Sequence, residues 1–361
     1  MRSARSAWRF LDDRLRLEPV VAFLREKEVP RHRLTWAYFF GGLSLFFLAV
    51  QVTTGILLLL YYRPTPEAAY ESVEFVMTRV EFGWLVRSVH AWSANLMVLS
   101  VVVHMSSVYL MRSYGRPRDL TWWTGMLLLA ATLGFGFSGY LLPWNTLAFF
   151  ATRVGTDMVG KVPLVGGSLL RVLRGGEDVS GATLTRFFGL HAAVLPLLAF
   201  VLLGLHLLLV QRHNVHVPPS LREEARRRPG IPFLPDFTLR ELVVWLIGLA
   251  LLAALAAFRP WELGARADPF ASAPAGIQPE WYFLFVFQTL KLLPARILGV
   301  EGELLGLAAF GAAAVLWFLA PVLDRASRRG EPSRTATVVG LAVLLYAAAM
   351  TLYAALAGRR S

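Results

Sequence analysis

Seven stretches of this 361-residue chain are long, apolar and almost free of charge, and they leave little choice of fold. They run over roughly Trp36–Tyr61, Val89–Met111, Trp122–Leu142, Phe187–Val210, Val243–Phe258, Leu304–Leu323 and Val338–Leu356. A bilayer core needs about 20 apolar residues of α-helix to cross it, and most of the seven reach that length. The fifth is short and can extend back to Leu239. In lipid every backbone polar group must be paired internally, so spans of this length are helices. The chain reads as an all-α integral membrane protein with about seven transmembrane helices. A hydrophobic content of 56% and a mean hydropathy of +0.54 exclude an ordinary soluble domain.

Charge sets the orientation. The first 33 residues hold nine Lys or Arg with acids interleaved and no apolar signal-peptide core, which describes an amphipathic surface segment. With seven spans, the N-terminus and the even-numbered loops share one side and carry 22 of the 36 Lys and Arg. That asymmetry places the N-terminus in the cytoplasm of a bacterial, or equivalent energy-transducing, membrane. The net charge of +12 is then a topology signal. The basic residues flank spans and form no single patch, so no nucleic-acid partner is expected; the partner is the lipid bilayer. The absence of cysteine excludes disulfides, iron–sulfur clusters and thiolate catalysis within the chain. A Pro- and Arg-rich loop from Gln211 to Phe237 separates four spans from three. The expected divisions are a surface segment (1–33), a four-helix module (34–211), a basic linker (212–238) and a three-helix module (239–361).

Two of the first four spans carry paired histidines: His90 and His104, then His191 and His206. A helix turns about 100° and rises 1.5 Å per residue, so a 14-residue step keeps one face over roughly 21 Å. The 15-residue step of the second pair is off by about 60°. Pro196, five residues after His191, removes a backbone donor, and a local bulge there would absorb the odd residue. A lone histidine in an apolar helix is commonly a hydrogen-bonded core residue. Ionisable groups inside a membrane, however, suggest function by default, and four at paired spacing suggest two stacked bis-imidazole clamps, each holding one haem.

Glycines repeat the spacing: Gly41 and Gly55 in the first span, Gly125 and Gly139 in the third. They would admit a flat ring at the two histidine levels, or serve as ordinary small-residue packing. Arg87 and Arg186 stand at the outer ends of the histidine spans, where a guanidinium either anchors at the interface or pairs with haem propionates. Two long apolar loops, after the third and fifth spans, lie on the outer side and could roof a pocket for an amphipathic ring.

The segments "LVRSVHAWSANLMVLSVVVH", "TWWTGMLLLAATLGFGFSGYLLPW", "ATLTRFFGLHAAVLPLLAFVLLGLH" and "QPEWYFLFVFQTLKLLP" resemble cytochrome b of Rieske/cytochrome b complexes over nearly the whole chain. The 14 and 15 spacings resemble the cytochrome b6 branch, and the seven spans resemble b6 joined to its three-helix partner, subunit IV. The resemblance implies a quinol:cytochrome c (or plastocyanin-like acceptor) oxidoreductase. Quinol is oxidised on the outer side. One electron passes to a Rieske iron–sulfur protein, the other inward through two non-covalent b haems to a second quinone. That inward step moves charge against the membrane potential, about 2.3 kcal/mol per 100 mV. It also implies a c-type cytochrome subunit and a homodimeric complex. By resemblance His90 and His191 ligate the outer haem and His104 and His206 the inner one. Pro279, Glu280, Trp281 and Tyr282 match the PEWY motif of the quinol site, and Tyr140, Pro143 and Trp144 the adjoining loop.

Three positions depart from the family. Phe47 stands where the b6 branch has a cysteine for an extra covalent haem. Ser107 replaces an arginine near the inner histidine, leaving Arg112 or Arg118 to meet the inner propionates, and Asn145 and Thr146 replace the usual pair after Pro-Trp. Quinol oxidation releases protons, and Glu280, a carboxylate among aromatics, is the expected acceptor. Arg212 and His213, just past the fourth span, would supply a cation and a proton donor to the inner quinone, or simply anchor the helix at the interface. Two other classes compete: a proton-coupled transporter relaying through histidines, and a dihaem anchor of a dehydrogenase. The first would need acids inside the spans; the second would have no PEWY loop.

Overall fold

A computed structural model describes residues 2–357, and within them the chain is predominantly helical, with two short two-stranded ladders. The C-terminal Arg359 and Arg360, counted above for orientation and the third module, lie outside the described residues. Two surface helices come first, α1 (Arg2–Leu15) and α2 (Glu18–Arg25), followed by the first span α3 (Phe39–Leu59), entered through a 3-10 turn at Thr35–Tyr38. A short helix, α4 (Ala69–Arg79), at the end of the bundle labelled outer because it lies opposite the N-terminus, leads to α5 (Gly83–Leu110) and α6 (Asp119–Leu141). The long outer loop folds as α7 (Thr146–Gly160) and α8 (Gly166–Arg174). The fourth span is α9 (Gly181–Gly189), a π turn at Leu190–Val194, and α10 (Leu195–His213) in one line. The linker holds α11 (Arg222–Arg226). The last module is α12 (Thr238–Phe258), α13 (Leu284–Leu292), α14 (Gly302–Phe318), the short α15 (Ala320–Leu323) and α16 (Arg325–Arg328), and α17 (Arg334–Ala357).

Six helices are long and apolar enough to cross a membrane, and α14 is a shorter apolar helix of 17 residues. The sixth expected span is therefore broken: the helix stops at Phe318 and restarts as α15, with Pro321 near its start. The fifth is longer than its apolar core suggests: α12 begins at Thr238, after a kink at Leu234. Leu and Val on α10, α12 and α17 remain exposed, as helices that lean on lipid require.

Packing follows sequence order. α3 lies along α5, α6 along α10, and α12 covers the α3–α5 pair, while α13 packs on α17. The two helix pairs of the four-helix module face each other across the histidines. On the inner side the expected divisions interlock. Glu28–Val29 forms a two-residue antiparallel ladder with Ile231–Pro232, and Lys27 reaches both the Gln211 carbonyl and its side-chain oxygen. The Arg33 amide donates to Glu224, and the Tyr38 hydroxyl donates to the His216 carbonyl at 2.7 Å. The surface segment and the basic linker are thus one inner layer. A proline-rich loop held at both ends is cheaper to order than a free one.

Candidate functional site

The π turn sits where the 15-residue spacing demanded it. The Leu195 amide donates to the Leu190 carbonyl, five residues back, and Pro196 follows with no amide to contribute. One residue is taken up between His191 and His206, and both rings face the same interior. The His90 and His191 ring centroids lie 6.4 Å apart at 70°. Two imidazoles sharing one metal at about 2 Å from each nitrogen would have centroids a little over 6 Å apart. The outer pair therefore already stands at a bis-imidazole separation.

Each glycine backs one imidazole. A methyl placed on Gly41 would lie 3.1 Å from His104 Cε1, on Gly125 3.3 Å from His206 Cε1, on Gly55 3.5 Å from His90 Cε1 and on Gly139 2.5 Å from His191 Cε1. The sequence spacing placed these glycines at the right levels. The structure gives them a nearer neighbour than a haem: they make room for the ligand rings themselves. The four distances rank the positions. Gly139→Ala is expected to displace His191, at a packing cost of about 1–3 kcal/mol, and so to change the absorption spectrum of a haem clamped there. Gly55→Ala, at ordinary contact distance, is expected to leave the spectrum unchanged. Equal spectra for the two variants would contradict this ranking.

Hydroxyls immediately before three of the glycines orient the rings. Thr54 Oγ1 lies 2.8 Å from His90 Nδ1, Thr124 Oγ1 3.0 Å from His206 Nδ1 and Ser138 Oγ 3.2 Å from His191 Nδ1. A partner at Nδ1 leaves Nε2 for a metal and holds the ring plane. Before the fourth glycine stands Phe40, which has no hydroxyl, and His104 Nδ1 is buried with no partner among the described residues. Among those residues no three His, Asp or Glu converge to hold a bare ion. Histidines in pairs, backed by glycine and tied at Nδ1, fit a metal whose remaining positions a macrocycle fills.

The arginines divide. Arg87 is buried within reach of the outer tier, its guanidinium donating to the Trp261 and Glu262 carbonyls at 2.5 and 3.2 Å. Arg186 is exposed instead, bonded to the Ala182 carbonyl at 3.5 Å and lying over Gly175, so it is not brought to the histidines. Five residues on a helix turn it about 140° away from His191. Arg112 also points elsewhere: it reaches Asp324 at 3.8 Å and the Ser333 carbonyl, binding α5 to the last module. Arg118 donates to the His213 and Asn214 carbonyls, a cation set against the C-terminal end of α10. Arg212 is exposed and His213 half-buried at that same helix end.

The two outer loops are joined to each other, and both contribute residues to a pocket. Asn145 caps α7 by accepting from the Ala148 amide at 2.9 Å, and its own amide donates to the Leu263 carbonyl at 2.7 Å. The Thr146 amide donates to the Ala265 carbonyl and the Ala267 amide to the Trp144 carbonyl, 2.9 and 3.0 Å. Asn145 and Thr146, the pair that departs from the family, are the clasp between the loops. Beneath them lies a cavity of about 340 Å³ lined by Tyr140, Phe137, Met158, Pro279, Glu280 and Tyr282. Tyr282 packs against Gly136, one turn from Gly139 and so beside the outer tier. The Trp281 indole donates to Asn95 Oδ1 at 2.8 Å, tying the PEWY turn to α5. Burial pushes the Glu280 carboxyl above its usual range; burial, then the charge of Glu280, pushes the Tyr282 phenol up as well.

One acid that the sequence reading did not single out lies ahead of the fifth apolar core, within its extension back to Leu239. Glu241 on α12 accepts from the Trp245 indole at 3.2 Å and fits its carboxylate against Gly42, next to the inner-tier glycine. Phe46 stacks on Trp245 with centroids 5.6 Å apart, and Phe47 is buried.

A bundle of membrane helices with two tiers of facing histidines and a roofed outer pocket defines the class of membrane electron-transfer proteins. The cytochrome b/b6/petB family profile matches residues 24–214, and the cytochrome b (C-terminal)/b6/petD profile matches residues 266–359. The cytochrome b subunit of a cytochrome bc complex from Chlorobaculum thiosulfatiphilum is 47% identical over 330 residues, covering 91% of this chain and 76% of its own. Cytochrome b6 of Emiliania huxleyi is 42% identical over 213 residues, 59% of this chain and 99% of its own. The structure titled hyperthermophilic respiratory Complex III superposes with a TM-score of 0.79 at 28% identity, covering 95% of this chain and 96% of that one. The chain belongs to the cytochrome b/b6 family: it is a haem-binding integral membrane subunit of a bc-type quinol oxidoreductase complex. The first profile covers the first four spans and the second runs from the loop after α12 through α17, consistent with b6 joined to subunit IV.

Proposed function

We propose that the chain oxidises quinol in the roofed outer pocket and holds two non-covalent b haems, His90 and His191 clamping the outer, His104 and His206 the inner. The observation that carries this reading is the adjacency of pocket and outer tier: Tyr282 and His191 rest on α6 one turn apart, at Gly136 and Gly139. When bound, the haems supply a relay for electrons across the membrane. The chain's own groups do the rest. Oxidation of one quinol to quinone releases two electrons and two protons. Glu280, whose buried carboxyl is raised in basicity, takes one proton from a quinol hydroxyl, and the other leaves to the outer aqueous phase. Pro279, Trp281 and the Tyr140 and Tyr282 rings shape the slot. Arg87 lies near enough to the outer tier to meet a propionate there, and Arg118 is the corresponding candidate on the inner side. The second electron goes to a partner; in a complex of this type that is a Rieske iron–sulfur protein, with a c-type cytochrome subunit beyond it and two copies of the complex pairing.

Phe47 and its neighbour Phe46, stacked on Trp245, fill with apolar bulk the place of an extra covalent haem, and the chain has no cysteine thiol to attach one. A pyridine haemochrome titration is expected to give two b haems per chain, both released by denaturant. Three haems, or haem staining of the denatured polypeptide, would overturn the count.

The inner quinone is proposed to meet Arg212 and His213 at the end of α10, on the side made cytoplasmic by the excess of basic residues. Changing both to Leu is expected to slow reoxidation of the inner haem, followed by flash or stopped-flow spectroscopy. Unaltered kinetics would reduce the pair to interfacial anchors. The transporter and dehydrogenase-anchor alternatives account for neither the PEWY pocket nor the match of both modules to one electron-transfer family.

A further inference from the structure

The inner surface carries a second cavity, of about 470 Å³, that quinol oxidation does not use. It opens where three segments meet: the turn between α5 and α6, the linker before α11, and the turn around α16. Arg112, Arg116, Arg118, Arg222, Arg328 and Arg329 line it. Glu331 is the one carboxylate in the lining, and it is taken by Arg329 at 3.2 Å. Arg112 leans on Asp324, and Arg118 is bonded to backbone carbonyls. Arg116, Arg222 and Arg328 have no acidic partner among the described residues.

A second observation points the same way. His216 also lines the cavity, and its Nε2 is buried without a hydrogen-bond partner. Burial first, then the charges of Arg118 and Arg222, lower its pKa to about 4, so the ring is neutral. Six guanidinium groups and an unpaired imidazole gathered in one hollow, with two carboxylates to answer them, leave an excess of positive charge and donors that favours an anion. Guanidinium forks match phosphate oxygens two at a time, and the volume exceeds what a single phosphate fills.

We propose that this arginine cavity binds a ligand carrying two phosphate groups, presented by a lipid headgroup or by a soluble phosphate compound, and that the ligand ties the four-span module to the three-span module at the inner surface. The linkage follows from the lining: Arg116 belongs to the first module, Arg222 to the linker and Arg328 to the last.

The test uses the purified complex with two probes: inorganic pyrophosphate, and phosphatidylcholine nanodiscs with or without diphosphatidylglycerol. At least one probe is expected to bind one per chain and to raise the unfolding temperature. In the variant R116Q/R222Q/R328Q its affinity is expected to fall about tenfold or more. Stabilisation by pyrophosphate alone assigns a soluble ligand, and by the diphosphate lipid alone a headgroup. Binding of neither probe above the phosphatidylcholine background overturns the proposal, as does undiminished binding by the variant. Should the triple variant not assemble, R116Q and R328Q singly are each expected to weaken binding about threefold. Unchanged affinity in both is equally fatal.

Discussion

Replacing His90 or His191 with Ala is expected to remove the outer haem while the inner one stays, and replacing His104 or His206 to do the reverse. Each variant keeps half the haem, read as reduced-minus-oxidised absorbance per chain. The effect is large because each variant forfeits one of two bonds to the iron, and among the described residues no third His, Asp or Glu converges on either pair to replace it. Loss of an orienting hydroxyl is milder. Thr54→Val leaves His90 in place and is expected to weaken outer-haem retention roughly 10- to 100-fold, the usual cost of removing such a partner. Full retention of both haems in any of the four Ala variants would refute the ligand assignment.

Glu280→Gln is expected to slow quinol oxidation by roughly a hundredfold or more, the usual worth of a positioned base, with both haem spectra intact. The pH profile carries the sharper signature. Burial raises the folded-state pKa of Glu280, so its carboxylate is lost as pH falls through a value above the usual carboxylate range. The wild-type rate should therefore fall on the acidic side earlier than an exposed glutamate would make it, and the variant should lack that limb. Steady-state turnover between pH 6 and 8 decides the matter: a variant as fast as wild type across that range removes Glu280 from the mechanism.

The histidines and glycines were legible because helix arithmetic preserves angle, and a 14-residue step survives folding unchanged. The bulge near Pro196 was legible for the same reason. The hydroxyls were not read, because Thr and Ser in membrane helices usually bond their own preceding turn. Thr54 does that too, donating to the Val50 carbonyl at 2.7 Å while also meeting His90 from another helix. A signal was present: a hydroxyl stands directly before three of the four glycines. The arginines misled at Arg112 and Arg186, since proximity in number to a histidine says nothing about which way a long, flexible side chain turns. Asn145 and Thr146 looked like departures from a family pattern, and only the contacts across to Leu263 and Ala265 reveal a clasp. Glu241 stands in the extension of the fifth run back to Leu239, where a single acid near a span end reads as interfacial.

The π turn at Leu190–Val194 uncouples residue number from angle in the fourth span. Two ligands 15 residues apart occupy the same azimuth as two 14 apart, so a gap-free numbering of this helix against a 14-spaced relative would slip by one while the rings coincide. The turn behaves as an insertion confined to the place where it arose. Above it the helix keeps its phase with the outer loops; below it, with the inner layer. Length in this span can change by one residue without any other helix in the bundle having to rotate.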